Sequence, residues 1–358
     1  MPPPDAPTGR VTDVDVAILH LEPDAEAGPL TRATAAARLE LADRHRRGFM
    51  AAGATAATVH AGRADDVSFG ERLRDLAAGI GEGGLIVLGS GAIPLATATD
   101  RRELVDAARG TEAAALTNNR YSADVVAIAR ARSVLRSLPD LATDNMLPRW
   151  LDEIAGIPVS DRRARRRLGI DIDGPLDVIL IGSPWLEHLD GVDVERVTSA
   201  IEAVRRVAAD AHGELLVAGR VSAANLGWLE RETASRTRAL IEERGLRTRR
   251  PGQRPAASVL GSLLERDGPG SLGTHVARLG DGAVIDSRVL LAHRFGADEA
   301  GWPRAEDRFA SDLLLADRVA DPWLRALTAS AAQASVPIVL GGHTLVGPGL
   351  PLALRGHR

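Results

Sequence analysis

Apolar runs of strand length alternate with helix-patterned stretches through the first half of the chain. No other feature restricts its folds as much. VDVAILHL (core 15–21), ATAATVH (54–60), GLIVLG (84–89), EAAALT (112–117) and ADVVAIA (123–129) are the runs. GLIVLG is apolar throughout and ends in glycine, as a central parallel strand buried on both faces requires. Between the runs, residues 30–52 place apolar side chains at helical spacing and stop at Gly53, a C-cap residue. FGERLRDLAAGI (69–80) is amphipathic, and DRRELVDAAR (100–109) is helical. The spacing predicts that strands 15–21, 55–60, 84–88, 113–117 and 123–128 share one mostly parallel sheet with helices on both faces, an α/β fold of Rossmann type.

At 358 residues the chain has room for about two domains. Residues 130–168 read as helix broken at Pro139, Pro148 and Pro158. SPWLEHLDGVD (183–193) combines Pro, Gly and charge and reads as the boundary. The expected organisation is a disordered tail over 1–12, an α/β domain over 13–182 and a C-terminal mixed α/β domain over 193–358. In that second half helices are expected at 193–211, 222–244, 305–319 and 321–332, and strands within 283–293 and 336–342. RTRRPGQRP (247–255) reads as an exposed connector.

Composition removes several chemistries. Cysteine is absent, which excludes disulfides, thiolate metal sites and cysteine nucleophiles. Lysine is absent too: all 44 basic residues are arginine, so Schiff-base chemistry and a Walker lysine are excluded. The formal net charge of −4 and 3% aromatic content argue against nucleic acid as a partner. The start lacks a signal-peptide pattern and no apolar run approaches membrane-spanning length, so a cytoplasmic protein with no membrane partner is expected.

The segment richest in chemistry is Asp171-Ile172-Asp173-Gly174-Pro175-Leu176-Asp177. Alternate carboxylates on an extended segment project to one side and suit Mg²⁺ held against phosphate oxygens. The same residues also read as a helix start, with Asp173 capping, Pro175 in the first turn and Asp177 complementing the dipole. Asn118, Asn119, Arg120, Tyr121, Ser122 and Asp124 crowd the loop between two strands, where α/β proteins place ligand groups, and Asn-Asn also favours a plain turn.

D-x-D-x-P-x-D closing an α/β segment of about 180 residues resembles the nucleotide-diphospho-sugar transferase (GT-A) superfamily. The likeness is nearest to the 2-phospho-lactate/phosphoenolpyruvate guanylyltransferases and the molybdopterin guanylyltransferases. GLIVLGSGAIPLATATDRRELVDAA (84–108) is similar to their central strand, turn and helix, and AALTNNRYSADVVAI (114–128) to the segment carrying their substrate loop. The likeness covers the N-terminal half. It implies a GT-A-like sheet and Mg²⁺-assisted transfer of a nucleotidyl group from a nucleoside triphosphate to a small phosphorylated or sugar acceptor. Asp171 and Asp173 would be the catalytic and metal residues, with Arg32, Ser90, Asn118, Asn119, Arg120 and Asp124 binding nucleotide or substrate. Two departures stand out. The turn Gly89-Ser90-Gly91-Ala92-Ile93-Pro94 lacks the family's metal-binding acid, for which Asp124 is the nearest replacement. The first loop carries Glu22, Asp24 and Glu26 beside Gly28 and Arg32. A catalytically degenerate domain that binds a nucleotide or a partner, and a glycosyltransferase using a nucleotide sugar, are the alternative readings.

Three other features carry both bland and functional readings. The five arginines of DRRARRR (161–167) suit a solvated face or a phosphate clamp. Arg308 and Asp312 are expected to pair at i,i+4. His343, after VPIVLGG, is placed to reach a ligand crevice.

Overall fold

The computed structural model describes residues 13–63, 67–243 and 255–356. It divides into two compact units. The first holds the described residues up to Asp24 together with Arg38–Asp171, and the second holds Ala25–Ala37 together with the described residues from Ile172 on. The division thus falls at 171/172 rather than at 183–193, and a short N-terminal segment goes with the second unit.

The first unit is built on β1 (Val14–Leu21), β2 (Ala56–Gly62), β3 (Gly84–Gly89), β4 (Ala115–Thr117), β5 (Val125–Ile128) and β6 (Val159–Asp161). All five expected strands share one sheet, in the order β2-β1-β3-β5-β4-β6. β1 runs parallel to β2 and β3, and β4 parallel to β6, whereas β5 is antiparallel to both β3 and β4. Strand periodicity sorts the core onto two faces. Val14, Val16, Ile18, Ile86 and Leu88 pack with Phe49 and Val105 on one face. Ala17, Leu85 and Val87 pack with Leu73 and Leu135 on the other. Helices fall where the caps ask for them. Ser68 accepts from Glu71 N at 3.1 Å to start Phe69–Gly79, and Thr97 with Asp100 forms a capping box for Ala98–Ala108. The stretch expected as broken helix over 130–168 contains short helical pieces and also β6, which pairs parallel with β4.

In the second unit β7 (Glu214–Gly219), β8 (Arg236–Ile241), β9 (Gly282–Asp286) and β10 (Ile338–Gly341) form a wholly parallel sheet in the order β10-β9-β7-β8. Three expectations need correction here. The helix expected over 222–244 ends at Glu232, and RTRALI becomes the edge strand β8, because pairing with β7 recruits a segment whose side chains alternate in exposure. AVIDSRVLLAH is strand only to Asp286, which then caps the helix Ser287–Phe295 through Arg288 N at 3.2 Å. The helix expected over 305–319 stops at Asp312, where Leu314 takes a φ of 59°. Pro322 does sit in the first turn of the helix Pro322–Ala332. The expected tail 1–12 and all of the expected connector 247–255 except Pro255 lie outside the described residues. Among the described residues no helix is long and apolar enough to cross a membrane.

Candidate functional site

Topology gathers several polar residues of the first unit at one end of its sheet. β1, β3 and β4 end there, and the antiparallel β5 begins there, so His20, Ser90, Asn118 and Asp124 meet at that end. The turn after β3 is its centre. Ser90 N donates to Leu19 O at 2.8 Å and Ala92 N to Gly89 O at 3.1 Å. Ile93 is buried with a φ of 45°. A β-branched residue in the left-handed region is a true outlier that costs about 1–3 kcal/mol, a kind of strain that clusters at functional sites.

Asp171 comes back to this turn. Ala92 and Asp171 form an isolated antiparallel bridge, and Ile93 N donates to Ile170 O at 3.1 Å. On the other flank, Gly89 N donates to Asp124 O at 3.3 Å. Two acidic residues are therefore tied by their backbones to either side of a turn that has no acid of its own.

The neighbouring side chains are neutral or committed. His20 Nδ1 lies 3.0 Å from Ser90 Oγ, and both groups are buried. Burial lowers the His20 pKa, Arg38 adds to the effect and Glu22 opposes it, so the ring is neutral near pH 7. Asn118 is a strut. Its Nδ2 donates to Asp124 Oδ2 at 2.6 Å and to Leu168 O at 2.9 Å, while its Oδ1 accepts from Asp124 N at 3.0 Å and Val125 N at 3.3 Å. Those bonds use the amide's donors and both acceptor sites, so Asn118 aims Asp124 rather than a ligand.

The remaining expected contacts are engaged elsewhere. Asn119 Oδ1 accepts from Tyr121 N at 3.1 Å, the plain turn that Asn-Asn favours. Arg120 pairs with Asp152 at 2.9 Å. Arg32 belongs to the second unit, where its Nε donates to Ala27 O at 2.7 Å. Asp173 also belongs to the second unit. The helix Pro175–Ile181 is capped by Gly174, not by Asp173, and Asp177 accepts from Asp173 N and Gly174 N at 2.8 Å each. The helix-start reading of this segment therefore holds for Asp177, with the cap moved by one residue.

Three of the five arginines of 161–167 are drawn into ion pairs with Asp100 and Glu103, while Arg163 is exposed. Arg165 and Arg167 reach Asp100 at 3.1 and 2.6 Å, and Arg162 reaches Glu103 at 2.6 Å. Arg308 and Asp312 do not pair: Asp312 is taken by Arg288, and Arg308 faces Glu299 at 3.6 Å.

Two residues went unflagged in the sequence. His20 is the only polar residue of VAILHL, and its place at a strand end was the available signal. His45 falls in register with Leu41, Ala42 and Phe49 on the buried stripe of its helix. Its Nε2–H donates to Ala92 O at 2.8 Å, fixing the turn from behind.

Among the described residues no group of three or more His, Asp or Glu is arranged to hold a metal. Asp124 and Asp171 are the two carboxylate residues tied to this turn by their backbones, and Mg²⁺ can be bound through as few as one or two carboxylates when phosphates and water complete its shell. No known family model matches the chain, and no curated protein sequence matches it.

Proposed function

We propose that this chain binds a nucleoside triphosphate at the carboxyl edge of the first sheet and transfers its nucleotidyl group to a small phosphorylated or sugar acceptor. The observation that carries this reading is the bridge between Ala92 and Asp171, which brings a carboxylate residue back to the turn after β3. Support comes also from Asp124 on the opposite flank and from the strained Ile93 between them. In the reaction an acceptor oxygen forms a bond to the α-phosphorus. The bond from that phosphorus to the bridging oxygen breaks, and diphosphate leaves with the electron pair. Mg²⁺ bound to the phosphates would neutralise the charge that develops on the leaving group. Asp171 and Asp124 would hold the ion, and Asn118 keeps Asp124 in position. Neutral His20 fixes Ser90 without adding positive charge.

Binding without turnover is the second reading. It is favoured by the engagement of Asn118, Asn119 and Arg120 with the protein itself. Thermal unfolding with GTP, ATP or a nucleotide sugar, with and without Mg²⁺, tests both, together with an assay for released diphosphate. A ligand at about 100 times its Kd stabilises by about 2.7 kcal/mol. The proposal expects such a Mg²⁺-dependent rise, its loss in Asp171→Asn, and diphosphate release. A rise without release selects the binding-only reading, and a rise with nucleotide sugars alone selects glycosyl transfer. No rise with any of them overturns nucleotide binding here.

A further inference from the structure

The described residues leave part of one face of the first sheet uncovered. The helix Phe69–Gly79 packs Leu73 and Ala77 with Leu85 and Val87, over β3. On the outer strand β2, Ala56, Thr58 and His60 stay exposed. They lie in register with Asp15, Ala17 and Leu19 of β1. A cleft of about 500 Å³ opens between these two strands and the helix, a size within the range of small-molecule sites. Small residues keep it open. Ala17 and Ala56 fill little of the space above the strands, and a Cβ at Gly79 would touch nothing within 4 Å. Leu19, Leu76 and Ile80 form an apolar wall and are only partly buried.

Asp15 is the residue that packing does not explain. Its neighbours across the sheet are Ala56 and Leu85, and aspartate is among the residues that strands disfavour. It is half-buried, and its carboxylate makes no hydrogen bond or ion pair among the described residues. Burial and then Asp13 raise its pKa, and no cation opposes them. Arg72 does not serve, because it stands beside His60, whose pKa it lowers after burial does. His60 pairs with Leu19, four residues beyond Asp15 on β1 and so about 13 Å away. Asp75 adds a second acid to the lining.

The cleft thus offers an apolar wall and, at one end, a carboxylate without a countercharge. A charged group held partly out of water is costly unless it is paired, and a cation seated beside Asp15 offsets that cost. An inorganic ion would seek further oxygen ligands and leave the apolar wall bare.

We propose that this cleft binds an organic cation, an ammonium group carrying an apolar chain, with the ammonium on Asp15 and the chain along Leu19, Leu76 and Ile80. It lies toward the amino ends of β1 and β2, away from the turn after β3, and does not depend on nucleotide binding there.

The test uses the full chain. Hexylammonium chloride, hexanol and sodium hexanoate are compared at neutral pH and matched ionic strength, by thermal unfolding and by saturation-transfer NMR of the hexyl protons. The site predicts a rise in Tm and saturation transfer with hexylammonium. Hexanol and hexanoate should bind about tenfold more weakly or worse, as loss of a charge-assisted contact requires. Asp15→Asn keeps the side chain's size and removes the repulsion from Asp13, so it should fold, which its Tm without ligand checks. It should weaken hexylammonium binding about tenfold or more. Ala56→Leu, at an exposed position, should fill the cleft and block binding. Asp171→Asn should leave binding unchanged, which separates this site from the nucleotide site. The proposal is overturned if hexylammonium does not bind, if hexanol or hexanoate binds as tightly, if Asp15→Asn or Ala56→Leu binds hexylammonium as well as the unsubstituted protein does, or if Asp171→Asn weakens it.

Discussion

His45 offers a sharp test of how the β3 turn is held. It is buried, and because a carbonyl only accepts, the bond to Ala92 O at 2.8 Å places the ring proton on Nε2. Nδ1 is then a bare, buried acceptor with no partner. Protonating it would put a cation in apolar surroundings near Arg101 and Arg44. Burial accordingly pushes the His45 pKa from 6.5 down to about 3, with those arginines adding to the effect and the Ala92 bond opposing it. The unfolded chain therefore binds a proton at a pH where the folded one does not. His45 contributes its full stabilisation above pH 6.5 and loses it as pH falls toward 3. Each pH unit inside that window is worth about 1.4 kcal/mol. Between pH 6.5 and about pH 5 the loss comes to about 2 kcal/mol.

Urea unfolding across this range, with His45→Gln alongside, isolates the effect. Glutamine keeps an N–H donor for Ala92 but does not titrate. The variant should lose most of the slope between pH 5 and 6.5, while the acid-labile carboxylates affect both proteins alike. Parallel stability curves for the two proteins in this window would refute the buried neutral imidazole.

Two further substitutions probe the second unit. Gly219→Ala should destabilise by about 2–5 kcal/mol in urea unfolding, the sum of a forced positive φ and a clash with Asp286; a loss below about 1 kcal/mol would show that β7 and β9 adjust freely. Asp177→Ala should cost about 0.5–2 kcal/mol by removing the acceptor for Asp173 N and Gly174 N, with Asp177→Asn recovering part of it. Equal stability of all three proteins would mean the cap contributes nothing.

Local patterning was enough for five of the six strands of the first sheet, while β6 lay unread in the stretch expected as broken helix. The runs at 84–89 and 123–129 are apolar enough to be buried on both faces, and that requirement appears in the residues themselves. Caps such as Ser68 and Thr97 are equally local, since donor and acceptor lie three residues apart. The acidic segment at 171–177 and the loop at 118–124 were also legible, because carboxylates and asparagines at strand ends stand out against apolar neighbours.

What those residues do was decided by partners far along the chain. Asn118 reads as a ligand group until Leu168 O, fifty residues later, takes one of its donors. Arg308 and Asp312 have ideal helical spacing for a pair, yet Arg288 arrives from another strand end and displaces one partner. β8 reads as helix because its two arginines and its apolar residues satisfy a period of 3.6 as well as 2, and only the open edge of β7 settles the choice. Arg220 and Arg288 went unnoticed for the same reason. They are two ordinary basic residues among 44, and only the parallel strand order sets both just past neighbouring strand ends, where each meets its carboxylate. Propensity and burial act over a few residues and can be read in one dimension. Charge pairing and strand order act through space, so they exist only once the chain has folded.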